Sequence, residues 1–243
     1  MREEIKQAVD VAQRAQRNYD LSKSIPKEDL ETLIYSAVNS PSKQNETHYQ
    51  LKIYTDQKKI KEIYDCTKRF SLIKDEEDRK NSFVEDENGI FWQNENTSVH
   101  NSQILSNVLF VYVDDNGTPR GGNSSIAQKT DNLNSESVQN YNNQKNYSIG
   151  ISVGQLTLSA ALLGYKTGIC SAFNPDAVQT AINTDKQVKL LVGVGYANQG
   201  VDRRLHALTR NKDIAEKFRN GDLEDFWRFP SFTKNIKVTI NDG

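Results

Sequence analysis

Residues 148–163 run Ser-Ile-Gly-Ile-Ser-Val-Gly-Gln-Leu-Thr-Leu-Ser-Ala-Ala-Leu-Leu without one charged side chain, and Gly164 closes the run. A stretch this apolar predicts a helix buried on nearly every side, ended by a glycine that tolerates the left-handed C-cap conformation. It stays short of the ~18 apolar residues that a membrane span needs, so a domain has to be built around it. The segment that follows, residues 165–173, reads as a tight turn offering small residues and backbone amides to something flat.

A length of 243 residues is within reach of one α/β core, so a single domain over 1–243 is expected. The 31 Lys and Arg against 32 Asp and Glu leave a net charge of -1, so no overall field directs the chain to nucleic acid or an acidic membrane. Anion binding has to come from local clusters. The amphipathic start lacks the apolar core of a signal peptide, which predicts a soluble, unexported protein. Cys66 and Cys170 lie far apart and in no metal-type spacing, so neither a disulfide framework nor a zinc site is expected, and a reducing cytoplasm fits. His48, His100 and His206 are scattered with no carboxylate at a ligand spacing, so no metal is expected.

Mean hydropathy is -0.72, and the polar excess is concentrated. Residues 114–147 are dominated by Asn, Ser, Gln and Gly, too polar to order as core, and are expected to form a long excursion with at most one short helix. Residues 74–96 form a second polar insertion, in which Phe91 and Trp92 are suited to docking. Elsewhere periodicity predicts amphipathic helices over 2–16 and from Pro26 onward, the second with a Leu30, Leu33, Ile34, Ala37, Val38 stripe. Strands are predicted at 49–55, 108–113, 188–194 and 236–240, and helices at 58–67 and 212–219. The absence of a strict βαβ rhythm favours a three-layer sandwich around a mixed sheet.

The glycines of Gly193-Val194-Gly195 and of 117–122 lack the strand, turn and helix order of a dinucleotide or phosphate loop. Cys170, beside a buried helix, reads as packing rather than as a nucleophile. Three segments remain. Gln13-Arg14-Ala15-Gln16-Arg17 places two forked donors three residues apart, suited to one phosphate, although the pair alone reads first as a solvated basic face. Ser40-Pro41-Ser42-Lys43-Gln44-Asn45 is a turn with hydroxyl and amide donors, and read alone is only a loop. Arg203-Arg204, with His206 and Arg210, supplies a third basic group.

In this order the segments resemble the nitroreductase family of flavoenzymes, over about residues 13–195. Residues 14–19 resemble its Arg-Ser-x-Arg-x-Phe opening, and Ser40-Pro41-Ser42-x-x-Asn45 its Ala-Pro-Ser-x-x-Asn loop. Asn101 to Gln103 match a polar pair that reaches the flavin, Cys170-Ser171-Ala172-Phe173 the segment near flavin N5, and the apolar helix the central dimer helix. Ala15 departs from the phosphate motif's serine, Ala172 from the usual glycine, and Thr47-His48-Tyr49 from the usual Gln-Pro-Trp.

The resemblance implies an α+β three-layer α/β/α sandwich with a mixed, mostly antiparallel sheet, assembled as an intertwined homodimer. It implies bound FMN and NAD(P)H as reductant, with hydride passing through flavin N5 to a nitroaromatic, quinone or similar small acceptor in a ping-pong cycle. No catalytic side chain is required, since the flavin is the reactive centre. The cofactor-binding set it implies is Gln13, Arg14, Arg17, Pro41, Ser42, Asn45, Asn101, Gln103, Cys170, Ser171, Ala172, Arg203 and Arg204, with Arg210, Arg228 and Lys234 as rivals for the last phosphate contact. Two alternatives remain: another flavin reaction on the same fold, such as flavin fragmentation or dehalogenation, or a non-catalytic flavin-binding protein.

Overall fold

The computed structural model describes residues 2–42, 45–71, 83–85, 91–93, 98–115, 135–201, 203 and 236–239. Among them are the helices α1 (Arg2–Ala12), α2 (Lys27–Val38), α3 (Gln57–Asp65), α4 (Ser135–Leu162) and α5 (Pro175–Ala181). The strands are β1 (Tyr49–Tyr54), β2 (Arg69–Ser71), β3 (Phe83–Glu85), β4 (Phe91–Gln93), β5 (Ser98–His100), β6 (Val108–Asp114), β7 (Lys166–Cys170) and β8 (Val188–Gly195). Local chemistry sets several starts. Pro26 precedes α2, Asp56 accepts from the Lys58 amide at α3, and Asn174 accepts from the Ala177 amide with Pro175 next to it at α5.

A four-stranded sheet in the order β1-β6-β8-β7 forms the centre, with every ladder antiparallel. Strand β6 is apolar and buried from Val108 to Val113 because both of its faces are covered there. Val108, Phe110 and Tyr112 pack with Leu33 and Ala37 of α2 and with Ile149, Val153, Leu156 and Ala160 of α4. Leu109, Val111 and Val113 pack instead with Ile60 and Ile63 of α3, Val178 of α5 and Ile104 of the 3-10 turn Ser102–Ile104. Alternation of side chains along one strand thus divides two cores and gives the three layers.

Several expectations need correction. Helix α4 begins at Ser135 rather than 148, so residues 135–147 are its first turns and not part of an excursion. Once a helix is nucleated, each added residue needs only one more hydrogen bond, and the buried Lys145, paired with Asp114 at 2.8 Å, anchors this polar end. Nor is the helix buried all round: Tyr147, Ile151, Leu162 and Leu163 are exposed in the single chain. Residues 166–170 form strand β7 rather than a turn, because β8 offers an open edge to pair with. Residues 236–239 join no strand among the described residues, and Ile236 is 73% exposed. The 74–96 insertion contains the short β3–β4 ladder. The helix predicted at 212–219 lies outside the described residues, as do Arg204, Arg210, Arg228 and Lys234.

Candidate functional site

Beyond α1 the backbone turns along the open edge of β7 and is stitched there by main-chain groups. Ala15 bridges Thr167 in parallel, and the Gln16 amide donates to the Thr167 carbonyl at 2.8 Å. The Arg17 amide donates to the Arg203 carbonyl at 3.0 Å, Ser102 Oγ donates to the Arg17 carbonyl at 2.6 Å, and the Arg203 guanidinium donates to the Ala15 carbonyl at 3.0 Å. Four segments far apart in sequence thereby meet, and they bring the two guanidiniums close enough to act on one another. Burial first, and the like charge of Arg203 second, push Arg17 down to about 10, so it stays charged at neutral pH while being held in an environment that disfavours the charge. An anion would relieve both. Gln13 and Arg14 are exposed, and Gln13 is turned back, donating to Asp10 at 2.9 Å.

The floor of this corner depends on glycines. A Cβ on Gly168 would lie 2.5 Å from the Gln103 carbonyl oxygen, and one on Gly193 would collide with the same atom. Strands β7 and β8 therefore carry glycine where the 101–107 segment crosses them, which is a packing reason unrelated to a phosphate loop. Asn107 locks the crossing: its Nδ2 donates to the carbonyls of Asp20 and Lys23 at 2.8 and 2.6 Å, and its Oδ1 accepts from the Tyr196 amide at 3.0 Å. Sequence reading passed over Ser102 and Asn107. The available signal was a pair of glycines inside an otherwise apolar strand.

Next to it lies the segment predicted to face the ring. Asn101 is buried and its Nδ2 donates to Cys170 Sγ at 2.9 Å, while its Oδ1 accepts from the Gln103 amide. Burial pushes the Cys170 thiol up to about 11, which agrees with a packing role and leaves no reactive thiolate at neutral pH. Ser171 is exposed and Ala172 half-buried, and the Ala172 carbonyl accepts from the Lys68 amide at 2.9 Å. His100 ends β5, donates from Nδ1 to the Thr67 carbonyl at 2.7 Å and packs its ring at 57° to that of Tyr64.

The remaining predicted residues are elsewhere. Pro41, Ser42 and Asn45 belong to the loop that enters β1, the opposite edge strand, at the end where Tyr49 faces Asp114. The arginine corner sits at the other end, where Val194 faces Val108 on one side and Thr167 on the other. Three strand spacings of about 4.8 Å and a strand rise of about 3.3 Å per residue place the two corners more than roughly 20 Å apart. Ser42 Oγ donates to the Glu46 carbonyl at 2.7 Å, and Asn45 holds a left-handed φ of 58. A polar groove of about 830 Å³ lies under β1, lined by Lys52, Asp176, Asp185 and Lys186 among others. Its charges are mixed, and none of Arg17, Arg203, Pro41, Ser42 and Asn45 lines it.

Among the described residues, no group of three His, Cys, Asp or Glu could hold a metal, and no helix is long and apolar enough to cross a membrane. The sequence model of the nitroreductase family matches residues 11–196. No curated protein matches the chain in sequence. The fold is similar to that of a protein from Exiguobacterium sibiricum described as a nitroreductase in complex with FMN, at 17% identity and a TM-score of 0.53, covering 87% of this chain and 95% of that one. It is also similar to a nitroreductase family protein from Clostridium novyi NT (16%, 0.51, covering 84% and 89%). A protein from Staphylococcus epidermidis described as an NAD(P)H:FMN oxidoreductase gives 14% and 0.53, covering 80% and 87%.

Proposed function

Because the chain belongs to the nitroreductase family, it is an oxidoreductase, and we propose that it is one dependent on FMN, reduced by NAD(P)H and oxidised by a small nitroaromatic, quinone or similar acceptor. The observation that carries this reading is the Arg17–Arg203 pair: two guanidiniums brought together by the backbone, one of them partly buried, whose like charges an anion such as the FMN phosphate would offset. When bound, the flavin supplies electron transfer from a nicotinamide to the acceptor in two successive half-reactions. The protein's part is to bind and orient. Arg17 and Arg203 would neutralise the phosphate, the Ser171 and Ala172 amides would face the reactive edge, and Asn101 would keep that segment in place through Cys170.

The loop of Pro41, Ser42 and Asn45 would hold the polar edge of the ring. Since it lies at the far corner of its own sheet, a second copy of the chain would have to supply it. A homodimer would also cover Ile5 and Val9 of α1 and Tyr147, Ile151 and Leu162 of α4, all exposed in one chain. The free thiols of Cys66 and Cys170 fit a reducing cytoplasm.

Purified full-length protein is expected to be yellow, to lose its flavin absorption when NADH or NADPH is added without oxygen, and to sediment at twice the chain mass of 27.6 kDa. A colourless protein that takes up no FMN sinks the proposal. A yellow protein that neither nicotinamide bleaches removes the reductant and the acceptor from it and leaves flavin binding.

A further inference from the structure

The loop entering β1 is tied to α4 by a buried chain of side chains. Glu46 Oε2 lies 3.2 Å from His48 Nε2, and His48 Nδ1 lies 2.9 Å from Ser148 Oγ. The His48 side chain is 0% exposed and that of Glu46 6%. Ser148 Oγ also lies 2.9 Å from the Gln144 carbonyl. A hydroxyl has one proton. If Ser148 gives it to Nδ1, Nε2 carries the ring proton and donates to Glu46; if it gives it to Gln144, Nδ1 donates to Ser148. In either case the 3.2 Å contact holds the Glu46 carboxyl group against the ring.

Glu46 is where the relay meets the turn. Its side chain is set by His48, and its carbonyl accepts from Ser42 Oγ at 2.7 Å. The other carboxylate oxygen, Oε1, is buried with no partner among the described residues. An unpaired buried oxygen costs stability, and apolar residues of similar volume would avoid that cost. Simple stability therefore does not account for the arrangement. Glu46 and His48 also stand outside the resemblance: Glu46 falls between the loop motif, which ends at Asn45, and Thr47, and His48 falls on the usual proline.

We propose that Glu46, His48 and Ser148 are positioning residues for cofactor binding: anchored on α4, they hold Ser42 and Asn45 where these two receive the flavin's polar edge. The inference rests on the FMN reading above. Its test is the dissociation constant of FMN from the full-length protein, read from the fluorescence of flavin released on serial dilution. His48→Phe, which keeps a ring but neither nitrogen, is expected to raise that constant at least tenfold, about 1.4 kcal/mol. His48→Gln, which retains a donor and an acceptor, is expected to recover most of the loss. Tyr112→Phe is the control, since it cuts the 2.9 Å bond to Ser152 on the same helix and removes no hydrogen-bond partner of Ser42, Glu46 or His48, and it should stay within about twofold of wild type on the tenfold scale used here.

If His48→Phe does not fold, Glu46→Gln gives the same readout and should raise the constant severalfold. Wild-type affinity in whichever of the two folds, or an equal loss in Tyr112→Phe, overturns the proposal and leaves the FMN reading intact. A wild-type protein that takes up no FMN overturns both.

Discussion

The two corners of the sheet that carry the predicted site residues are built in opposite ways. At the β7 corner, carbonyl and amide groups of three segments bond directly to one another, over glycines that permit the contact. At the β1 corner, the loop is held chiefly by side chains: Ser42 on the Glu46 carbonyl, and Glu46 through His48 on Ser148. Main-chain stitching tolerates most side-chain changes and fails on added volume. Side-chain stitching fails on lost polar atoms, and so can change between relatives without disturbing the fold.

The largest effect is expected from added volume at the first corner. Gly193→Ala drives a Cβ into the Gln103 carbonyl, and neither backbone can retreat without breaking a ladder. A loss of about 3 kcal/mol is expected, or roughly 6–12 °C in thermal melting for a domain of this size. Gly150→Ala is the counterpart on α4, where a Cβ meets nothing within 4 Å. In a monomer it should stabilise by about 0.5–1 kcal/mol. A loss instead would place Gly150 in a tight contact between copies.

Arg17→Ala should leave melting of the apoprotein nearly unchanged but weaken FMN about 100-fold, since hydrogen bonds to charged groups contribute about 1.5–3 kcal/mol. A titration with wild-type affinity would remove the phosphate site from this corner. The pH dependence follows from the sign of the shift. Arg17 is held down to about 10, so it is charged below that pH and loses its charge above it. FMN affinity should therefore be flat near neutrality and fall as pH rises through about 10, moving upward to the extent that the phosphate stabilises the charge.

At the second corner, Ser42→Ala removes one bond to the Glu46 carbonyl. The cost should be about 1 kcal/mol in FMN affinity with little change in melting. Smallest of all is the response of Cys170. With its thiol raised to about 11, about one molecule in a thousand is thiolate at pH 8, so a thiol reagent should leave it unlabelled in the native protein. Prompt labelling would mean that the Asn101–Cys170 contact opens.

How much of this was readable depends on whether the cause is local. Helix α2 follows from Pro26 and its apolar stripe, β6 from the uninterrupted run Val108–Val113 that only a covered strand can carry, and β8 from a run broken only by Lys189. The first turns of α4 were not readable, because what orders the polar 135–147 segment includes Lys145 meeting Asp114 across the fold. Strand β7 was missed for a related reason: Thr167-Gly168-Ile169-Cys170 is a strand only because β8 lies beside it. Of the site, Arg17 and Arg203 were named from charge and order in the chain. Ser102 and Asn107 were not, since their partners are carbonyls and amides that any residue could offer.

By itself the sequence determined the family, the three layers and the two basic segments. These rest on properties carried residue by residue: apolar periodicity, turn formers and fixed charges. Only the tertiary structure decided that Arg17 and Arg203 stand together while Pro41, Ser42 and Asn45 stand at the far corner. Which segments meet is settled by strand order and by long-range main-chain bonds, and neither leaves a mark on the identity of the residues it joins. The apolar run at 148–163 belongs to both accounts. Its composition required a helix, and the fold decided that one flank is covered by the sheet and the other left open.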